Sequence, residues 1–334
     1  MNSQITIIGL GQIGASIGMA LKGNKNFKRV GYDKDAAVSK AAQSLEVVDE
    51  VKSLSGAVRE AGIVVLCLPL SEMRETLRLV GPWLADNALL MDTAPIKSGL
   101  FQWVREVLRP GRFHIGLVPG INPNYVASLE YGLNAAQPDL FRKGIFALDV
   151  PQGTPEGVVN QAFDFCRSLG AKAMLADMPE SDGWMTSVHV LPQLTAAALL
   201  NATIGQDGWQ EARKFAGRPF ATVTGGMAVH DDPDSVLEAA LANRSTTVHA
   251  LDTLMAALKG LRDDIEQGDE KGVAERLKDS VKDREAWLEE REEAGWLREG
   301  GDQEDVPGFG QHVGQTLFGN TVFDRHAGMR KKKK

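Results

Sequence analysis

The chain has 334 residues, of which 43% are hydrophobic and 24% are charged, the ordinary composition of a globular protein. This length predicts about two domains and a core large enough to need no disulfide or metal. The formal net charge is −7 although the last five residues, 330–334, are all basic. Because the body of the chain is acidic, we expect no nucleic-acid partner.

The cysteines and the hydropathy pattern predict the cellular compartment. Cys67 and Cys166 both lie in apolar stretches, which predicts buried, reduced thiols and a cytoplasmic protein. No apolar run reaches the roughly 18 residues that span a bilayer, and the N-terminus lacks the features of a signal peptide. We therefore expect no membrane span. The sequence has no His, Cys and Asp cluster at ligand spacing, which predicts no metal site.

The first half of the chain alternates short apolar runs with amphipathic stretches. The predicted strands are Ile5–Ile8, Arg29–Tyr32, Ile63–Leu68, Ala88–Met91, Phe113–Leu117 and Ile145–Asp149. The helices predicted between them are Ile13–Lys22, Ala36–Ala42, Ser71–Leu84 and Lys97–Leu108. Near-continuous apolar strands separated by helices indicate a parallel sheet covered on both faces. Residues 1–152 are therefore predicted to form a doubly wound, Rossmann-type α/β domain.

The pattern becomes helical after about residue 152. Long helices are predicted at Pro155–Leu169, Met185–Ile204, Val236–Arg262 and Glu270–Leu297. The stretch Leu191–Leu200 is apolar nearly all round and must be buried, which we expect to happen against a second subunit in a homodimer. Residues 153–298 are thus predicted to be an all-helical substrate and dimerisation domain. The remainder, 299–334, reads as a weakly structured tail with a basic end.

A glycine motif joins the first predicted strand to the first helix. It consists of Gly9, Leu10, Gly11, Gln12, Ile13 and Gly14. Gly9 permits a tight turn, Gly11 lets the backbone approach a pyrophosphate, and Gly14 lets the helix pack close to the sheet. The pyrophosphate of a dinucleotide would then lie at the N-terminus of the helix, where free N–H groups and the helix dipole favour an anion.

Asp33 follows the second strand, 19 residues after Gly14, where a carboxylate accepts hydrogen bonds from the adenosine ribose. It would repel a 2′-phosphate, so NAD is favoured over NADP, although the neighbouring cations Lys34 and Lys40 weaken that preference. Other residues expected to line the same crevice follow the next two strands. They are Leu68, Pro69 and Leu70, and Thr93 and Pro95 of the loop Asp92–Lys97.

At this point the residues resemble the prephenate/arogenate dehydrogenase family, from about Ile5 to about Leu261. The resemblance is carried by the glycine loop, Gly31–Asp33, Asp92–Lys97, Leu140–Gly144, Ser181–Gly183 with Val188–Gln193, and Asp232-Pro233 with Asn243. It implies an NAD-dependent dehydrogenase that takes a hydride from the ring carbon of a cyclohexadienol, after which carbon dioxide leaves. Such chemistry needs a base near the hydroxyl and cations for the substrate carboxylates.

Four places differ from the family pattern. Pro95 stands where the family carries a serine, and Gly116–Pro123 has no counterpart of the family's His-Pro histidine. The family's Ser-His-Leu-Pro-His is here His189-Val190-Leu191-Pro192-Gln193. The family's substrate arginine falls near Met227.

His189 is the leading candidate for the base, since histidine titrates in the right range. A shift of one helical position turns a side chain by about 100°, so helix packing is the alternative role. His114 lies on a strand that ends near the cleft. Asn122, with Asn124 beside it, can orient a substrate or shape the loop. Lys97 matches a family lysine, and an ion pair is its alternative role.

Three functions remain open from the residues alone. The first is a dehydrogenase of this family acting on a small carboxylated, cyclic alcohol such as prephenate or arogenate. The second is a dehydrogenase of a different small hydroxy or amino acid with a repurposed pocket. The third is an NAD-binding protein without catalytic activity. Hydride transfer needs little from a protein beyond orientation and one proton acceptor, so the altered residues are compatible with activity.

Overall fold

A computed structural model describes residues 3–128, 130–229 and 231–294 of the chain. The predicted tail 299–334, the end of the last predicted helix and His230 lie outside these residues. Residues 1–294 cluster into one compact unit. Among the described residues, no helix is long and apolar enough to cross a membrane, and no group of acidic, histidine or cysteine side chains could hold a metal ion.

Strands occupy the first half of the described chain. They are β1 (Ser3–Ile8), β2 (Phe27–Tyr32), β3 (Glu50–Val51), β4 (Ala61–Leu66), β5 (Leu89–Asp92), β6 (Phe113–Gly120), β7 (Ile145–Asp149) and β8 (Lys172–Ala176). They form one sheet in the order β3-β2-β1-β4-β5-β6-β7-β8. All neighbours are parallel except β6 and β7. The strand order reverses between β1 and β4, where a doubly wound fold binds its ligand.

Helices cover both faces of the sheet. Those of the first half are α1 (Gln12–Ala20), α2 (Ala36–Ser44), α3 (Leu54–Val58), α4 (Leu70–Val80), α5 (Ser98–Val107) and α6 (Glu156–Ser168). The core consists of two clusters, one on each face. Ile5 and Ile7 of β1 belong to the first, and Ile8 belongs to the second. This alternation of side chains along β1 is the period of two that a strand imposes, and it confirms the predicted Rossmann-type sheet.

The second half is helical, as the sequence predicts. Its helices are α7 (Met178–Met185), α8 (Leu191–Ile204), α9 (Trp209–Ala212), α10 (Arg218–Thr224), α11 (Gly226–Val229), α12 (Pro233–Ala242), α13 (Arg244–Gln267) and α14 (Glu270–Glu293). A π-helical turn, Thr186–Val190, joins α7 to α8. The one helix predicted over Val236–Arg262 is divided at Asn243, which has a non-helical backbone.

Strand β8 is not predicted from the sequence. It pairs in parallel with β7 through the crossover helix α6, so the sheet continues to Ala176. The predicted domain boundary at residue 152 therefore falls between β7 and α6, and it stays a prediction.

Candidate functional site

The glycine loop has the geometry that a dinucleotide requires. Gly9 has a φ of +90°, and a Cβ there would lie 2.2 Å from the carbonyl oxygen of Cys67. A Cβ on Gly14 would lie 1.9 Å from the carbonyl oxygen of Gly9. Both positions therefore need glycine for the fold itself. A Cβ on Gly11 would meet no protein atom within 4 Å, so the protein's own packing does not demand glycine there. A close approach of the loop backbone to a bound pyrophosphate would account for the glycine at this position.

Asp33 lies at the end of β2 beside this loop. Its carboxylate accepts hydrogen bonds from the backbone N–H groups of Leu10, at 2.8 Å, and Asp35, at 2.9 Å. These contacts orient the carboxylate at the mouth of a cavity. The cavity is lined by Tyr32, Asp33, Lys34, Ala36, Ser39, Lys40, Gln43, Val51, Lys52 and Ser53. The residues fit the adenosine end of NAD, with Asp33 placed to hold the ribose hydroxyls.

The β4 loop carries the predicted residues Leu68, Pro69 and Leu70 into α4. Helix α4 begins at Leu70, and Ser71 donates from its Oγ to the carboxylate of Asp232 at 3.1 Å. The backbone N–H of Ser71 donates to Ser235 Oγ, also at 3.1 Å. These bonds tie the carboxyl edge of the sheet to the N-terminus of α12, so a helix of the second half lies beside the predicted crevice.

The β5 loop contains a buried ionic cluster. Lys97 Nζ donates to Asp92 Oδ1 at 2.5 Å and to the carbonyl oxygen of Leu117 at 2.9 Å. His114 Nε2 lies 2.8 Å from Asp92 Oδ2. Although burial favours its neutral form, Asp92 has a pKa held below its ordinary value by Lys97 and His114. The buried side chains of Lys97 and His114 thus both contact the carboxylate of Asp92. Thr93 and Pro95 lie between Asp92 and Lys97 on the same loop.

A second carboxylate fastens this loop from α7. Asp182 accepts from the backbone N–H of Lys97 at 2.6 Å and from that of Ser98 at 3.0 Å, which satisfies free N–H groups at the start of α5. The adjacent Ser181 donates to both carboxylate oxygens of Asp149, at 3.0 and 2.9 Å. Burial, with Asp182 and Asp92 nearby, raises the pKa of Asp149 to about 6 against the attraction of Lys97.

The loop after β6 is fixed by its own side chains. Asn122 accepts from the backbone N–H of Asn124 at 3.1 Å and donates to the carbonyl oxygen of Asp139, also at 3.1 Å. Tyr125 donates its hydroxyl to the Asp139 carboxylate at 2.6 Å. Arg291, near the end of α14, donates to the carbonyl oxygen of Ile121 at 2.5 Å. Asn122 thus shapes the loop, and its predicted substrate contact stays a prediction.

His189 lies in the π-helical turn between α7 and α8. Its Nε2 is 2.6 Å from the carboxylate of Asp231, and its side chain is 29% exposed. The next residue, Val190, packs in one buried cluster with Ala94 and Ile96 of the β5 loop. The turn therefore lies over the carboxyl edge of the sheet, and π-helical turns occur frequently at functional sites. Of the four catalytic candidates, His189 combines partial exposure with this location.

Several polar residues of this region are not singled out by the sequence analysis as site residues. Asp231, Gln193 and Arg291 each contact a segment that is distant along the chain. Asp182 and Gln193 are noticed only as parts of family motifs. No local pattern identifies such partners, because the contact exists only once the chain is folded.

Comparison with known proteins covers most of the chain. The family model "Prephenate dehydrogenase, nucleotide-binding domain" matches residues 17–175, and "Prephenate dehydrogenase, dimerization domain" matches residues 178–279. A cyclohexadienyl dehydrogenase of Zymomonas mobilis is 28% identical over 285 residues, which are 84% of this chain and 94% of the relative. A prephenate dehydrogenase of Bacillus subtilis is 26% identical over 273 residues, 80% of this chain and 72% of the relative.

Solved structures share the fold. The prephenate dehydrogenase of Aquifex aeolicus, in complex with hydroxyphenyl propionate and NAD+, matches with a TM-score of 0.72 at 20% identity and covers 86% of this chain and 98% of its own. The arogenate dehydrogenase of Synechocystis matches with a TM-score of 0.64 at 23% identity, and the match covers 85% of this chain and 99% of the Synechocystis chain. With two family models in order along a Rossmann-type sheet and a helical second half, the chain belongs to the prephenate dehydrogenase family of NAD-dependent oxidoreductases.

Proposed function

We propose that the protein oxidises a small cyclic alcohol that carries a carboxylate, as a cyclohexadienol does, with His189 as the proton acceptor. The observation that carries this assignment is the contact of 2.6 Å between His189 Nε2 and the Asp231 carboxylate, in a turn that lies over the β5 loop. A histidine held by a carboxylate is a common arrangement for a general base.

The residues fit NAD at the glycine loop and at Asp33, which would hold the pyrophosphate and the ribose. When bound, NAD supplies the acceptor for the hydride that leaves the alcohol carbon. The chain then has to remove the hydroxyl proton, and His189 takes it on its free ring nitrogen. In a cyclohexadienol, loss of the ring carboxylate as carbon dioxide makes the ring aromatic, so the residues need only bind, orient and accept one proton.

The test compares two histidine variants of the full chain. His189→Ala is expected to lower kcat about 100-fold, the size of a general-base contribution. His249→Ala, which changes an exposed histidine on α13, is the matched control and is expected to leave kcat unchanged. Activity is followed as NADH absorbance with prephenate, arogenate and, for the open-chain alternative, 3-hydroxyisobutyrate. An active enzyme whose kcat is unchanged by His189→Ala contradicts the assignment. A preference for the open-chain acid contradicts the proposed substrate class.

We also propose that the protein is a homodimer through its helical half, which the match to a dimerization domain supports. Large apolar side chains on these helices are exposed in the single chain. They include Phe215, Val223, Met255, Leu258 and Ile265. Light scattering at micromolar concentration is expected to give about twice the chain mass of 36.1 kDa. A monomer would leave this apolar surface unexplained.

A cytoplasmic location is proposed from the two cysteines, which are both free; Cys166 is buried as predicted, whereas Cys67 is only partly buried. Burial raises the pKa of each thiol to about 12, so both stay protonated at neutral pH. Unpaired, unreactive thiols are typical of a reducing compartment.

A further inference from the structure

The carboxylate of Asp231 is the centre of a small polar group around His189. It accepts hydrogen bonds from His189 Nε2 at 2.6 Å and from Gln193 Nε2 at 3.0 Å. Gln193 also donates to the backbone carbonyl oxygen of His189 at 3.1 Å. An amide nitrogen has two hydrogens, so Gln193 can serve both acceptors at once. The three residues therefore form a closed cycle of hydrogen bonds.

We propose that Asp231 and Gln193 are positioning residues that fix the ring orientation and the tautomer of His189, an inference that rests on the proposed function. An ionised carboxylate only accepts hydrogen bonds, so Nε2 must carry the hydrogen of this pair. Nδ1 is then the nitrogen with the free lone pair. Asp231 thus selects which nitrogen of His189 accepts the substrate proton.

The burial of Gln193 makes this group of three hydrogen-bonded residues rigid. Its side chain is 3% exposed and lies one helical turn after His189, at the start of α8. Because a buried amide has few alternative partners, its two donated bonds hold the Asp231 carboxylate against the π-helical turn. The carboxylate is therefore fixed relative to His189 from the helix that carries His189 itself.

The position of Asp231 is also fixed from the Rossmann sheet. The next residue, Asp232, caps α12 by accepting from the backbone N–H of Ser235 at 3.0 Å. Asp232 also accepts from Ser71 Oγ on α4 at 3.1 Å. Helix α4 begins at the carboxyl edge of β4, so a chain of contacts runs from the edge of the sheet to His189. This arrangement holds the base in register with the crevice in which a dinucleotide binds.

The experiment compares aspartate variants of the full chain. Asp231→Asn keeps the size of the side chain but offers an amide to Nε2, so kcat is expected to fall at least tenfold while KM changes less than about twofold. Asp269→Ala removes the side-chain cap of α14, where Asp269 accepts from the backbone N–H of Gly272 at 3.0 Å. This control is expected to lower the melting temperature with kcat nearly unchanged, since a cap contributes to stability. Asp231→Glu is expected to restore part of the kcat lost in Asp231→Asn.

A second readout does not depend on turnover. Nitrogen-15 NMR of histidine-labelled protein, with the His189 signal assigned by its loss in His189→Gln, is expected to show the Nε2–H tautomer in the wild type and a mixture in Asp231→Asn. Unchanged tautomers in Asp231→Asn overturn the inference. So does a kcat that falls in His189→Ala but not in Asp231→Asn. A kcat that is insensitive to His189→Ala instead contradicts the proposed function, so the two failures are distinguishable.

Discussion

The ammonium group of Lys97 lies 2.5 Å from the carboxylate of Asp92, and the two side chains are 0% and 1% exposed. His114 holds the other oxygen of the same carboxylate. A Cβ on Gly116 would come within 2.9 Å of Lys97 Cε, so this glycine leaves the space through which the lysine reaches Asp92. The lysine that matches the family pattern is therefore buried in the framework of the β5 loop.

The first prediction follows from this burial. Lys97→Met leaves the Asp92 carboxylate buried without its cation, and breaking a buried pair in this way destabilises a protein by about 3–5 kcal/mol. Urea unfolding at one fixed protein concentration measures the change. Lys28→Met, which removes an exposed ion pair with Glu50, is the control and should leave the unfolding free energy nearly unchanged. A Lys97→Met protein that is fully stable but inactive would instead indicate direct contact with substrate.

The second prediction concerns the pH dependence of stability. Burial raises the pKa of Asp149 to about 6, from 3.8 in the unfolded chain, so the folded state binds more protons between these values. Stability is therefore expected to fall as the pH rises from about 4 to about 6, and then to level off with respect to this group. Two pKa units correspond to about 3 kcal/mol.

Asp149→Asn is the variant that isolates this titration. The amide oxygen can still accept the hydrogen bond from Ser181, but it does not ionise. Relative to the wild type, the variant is expected to gain stability as the pH rises from 4 to 6, by up to about 3 kcal/mol. Parallel stability curves for the two proteins over this range would show that Asp149 does not titrate there.

The third prediction separates the two kinds of glycine in the dinucleotide loop. Gly11→Val is expected to keep the melting temperature of the wild type and to abolish NAD binding in calorimetry, because its Cβ meets no protein atom within 4 Å but occupies pyrophosphate space. Gly14→Ala is expected to destabilise the fold, since its Cβ would lie 1.9 Å from the Gly9 carbonyl oxygen. Unchanged NAD affinity in Gly11→Val would place the dinucleotide elsewhere.

This loop also shows what the sequence can predict. The strand, the glycines and the helix are contiguous, so their geometry follows from local residues, and β1 and α1 lie where they are predicted. Strand β8 could not be found in this way. Its residues, Lys172-Ala-Met-Leu-Ala176, lack the β-branched and aromatic side chains typical of strands. Pairing with β7 makes them extended, and that pairing is a tertiary contact.

The candidate site also combines residues that local motifs predict with residues that only tertiary contacts bring together. Asp33 could be placed by counting from Gly14, whereas Asp231 is 42 positions from His189, and nothing in the intervening sequence indicates that they meet. The break between α12 and α13 is similar. Asn243 donates from its side chain to Thr186 Oγ1 at 3.0 Å, so a contact with the π-helical turn occurs where the apolar periodicity predicts a continuous helix. Local motifs thus suffice to predict a cofactor site, whereas the contacts around His189 become visible only in the fold.

The last prediction concerns the substrate carboxylates. The resemblance to the family predicts that Met227, which lies on α11, stands near the position of the family's substrate arginine. Loss of one partner from a charge-assisted pair costs about 2–5 kcal/mol. We therefore expect kcat/KM for prephenate to be at least about 30-fold below that of the Bacillus subtilis relative assayed in parallel, which corresponds to about 2 kcal/mol.

A gain-of-function variant tests the cause of that deficit. Met227→Arg returns a guanidinium to the position and is expected to raise kcat/KM for prephenate at least about tenfold, chiefly through a lower KM, because a carboxylate contact made in the bound substrate is also made in the transition state. Met227→Gln has a similar length without the charge and is the control that should show no gain. If the wild type already oxidises prephenate as efficiently as the relative, another group binds the carboxylate and Met227 is not the determinant. If Met227→Arg and Met227→Gln behave alike, charge at this position does not set the specificity.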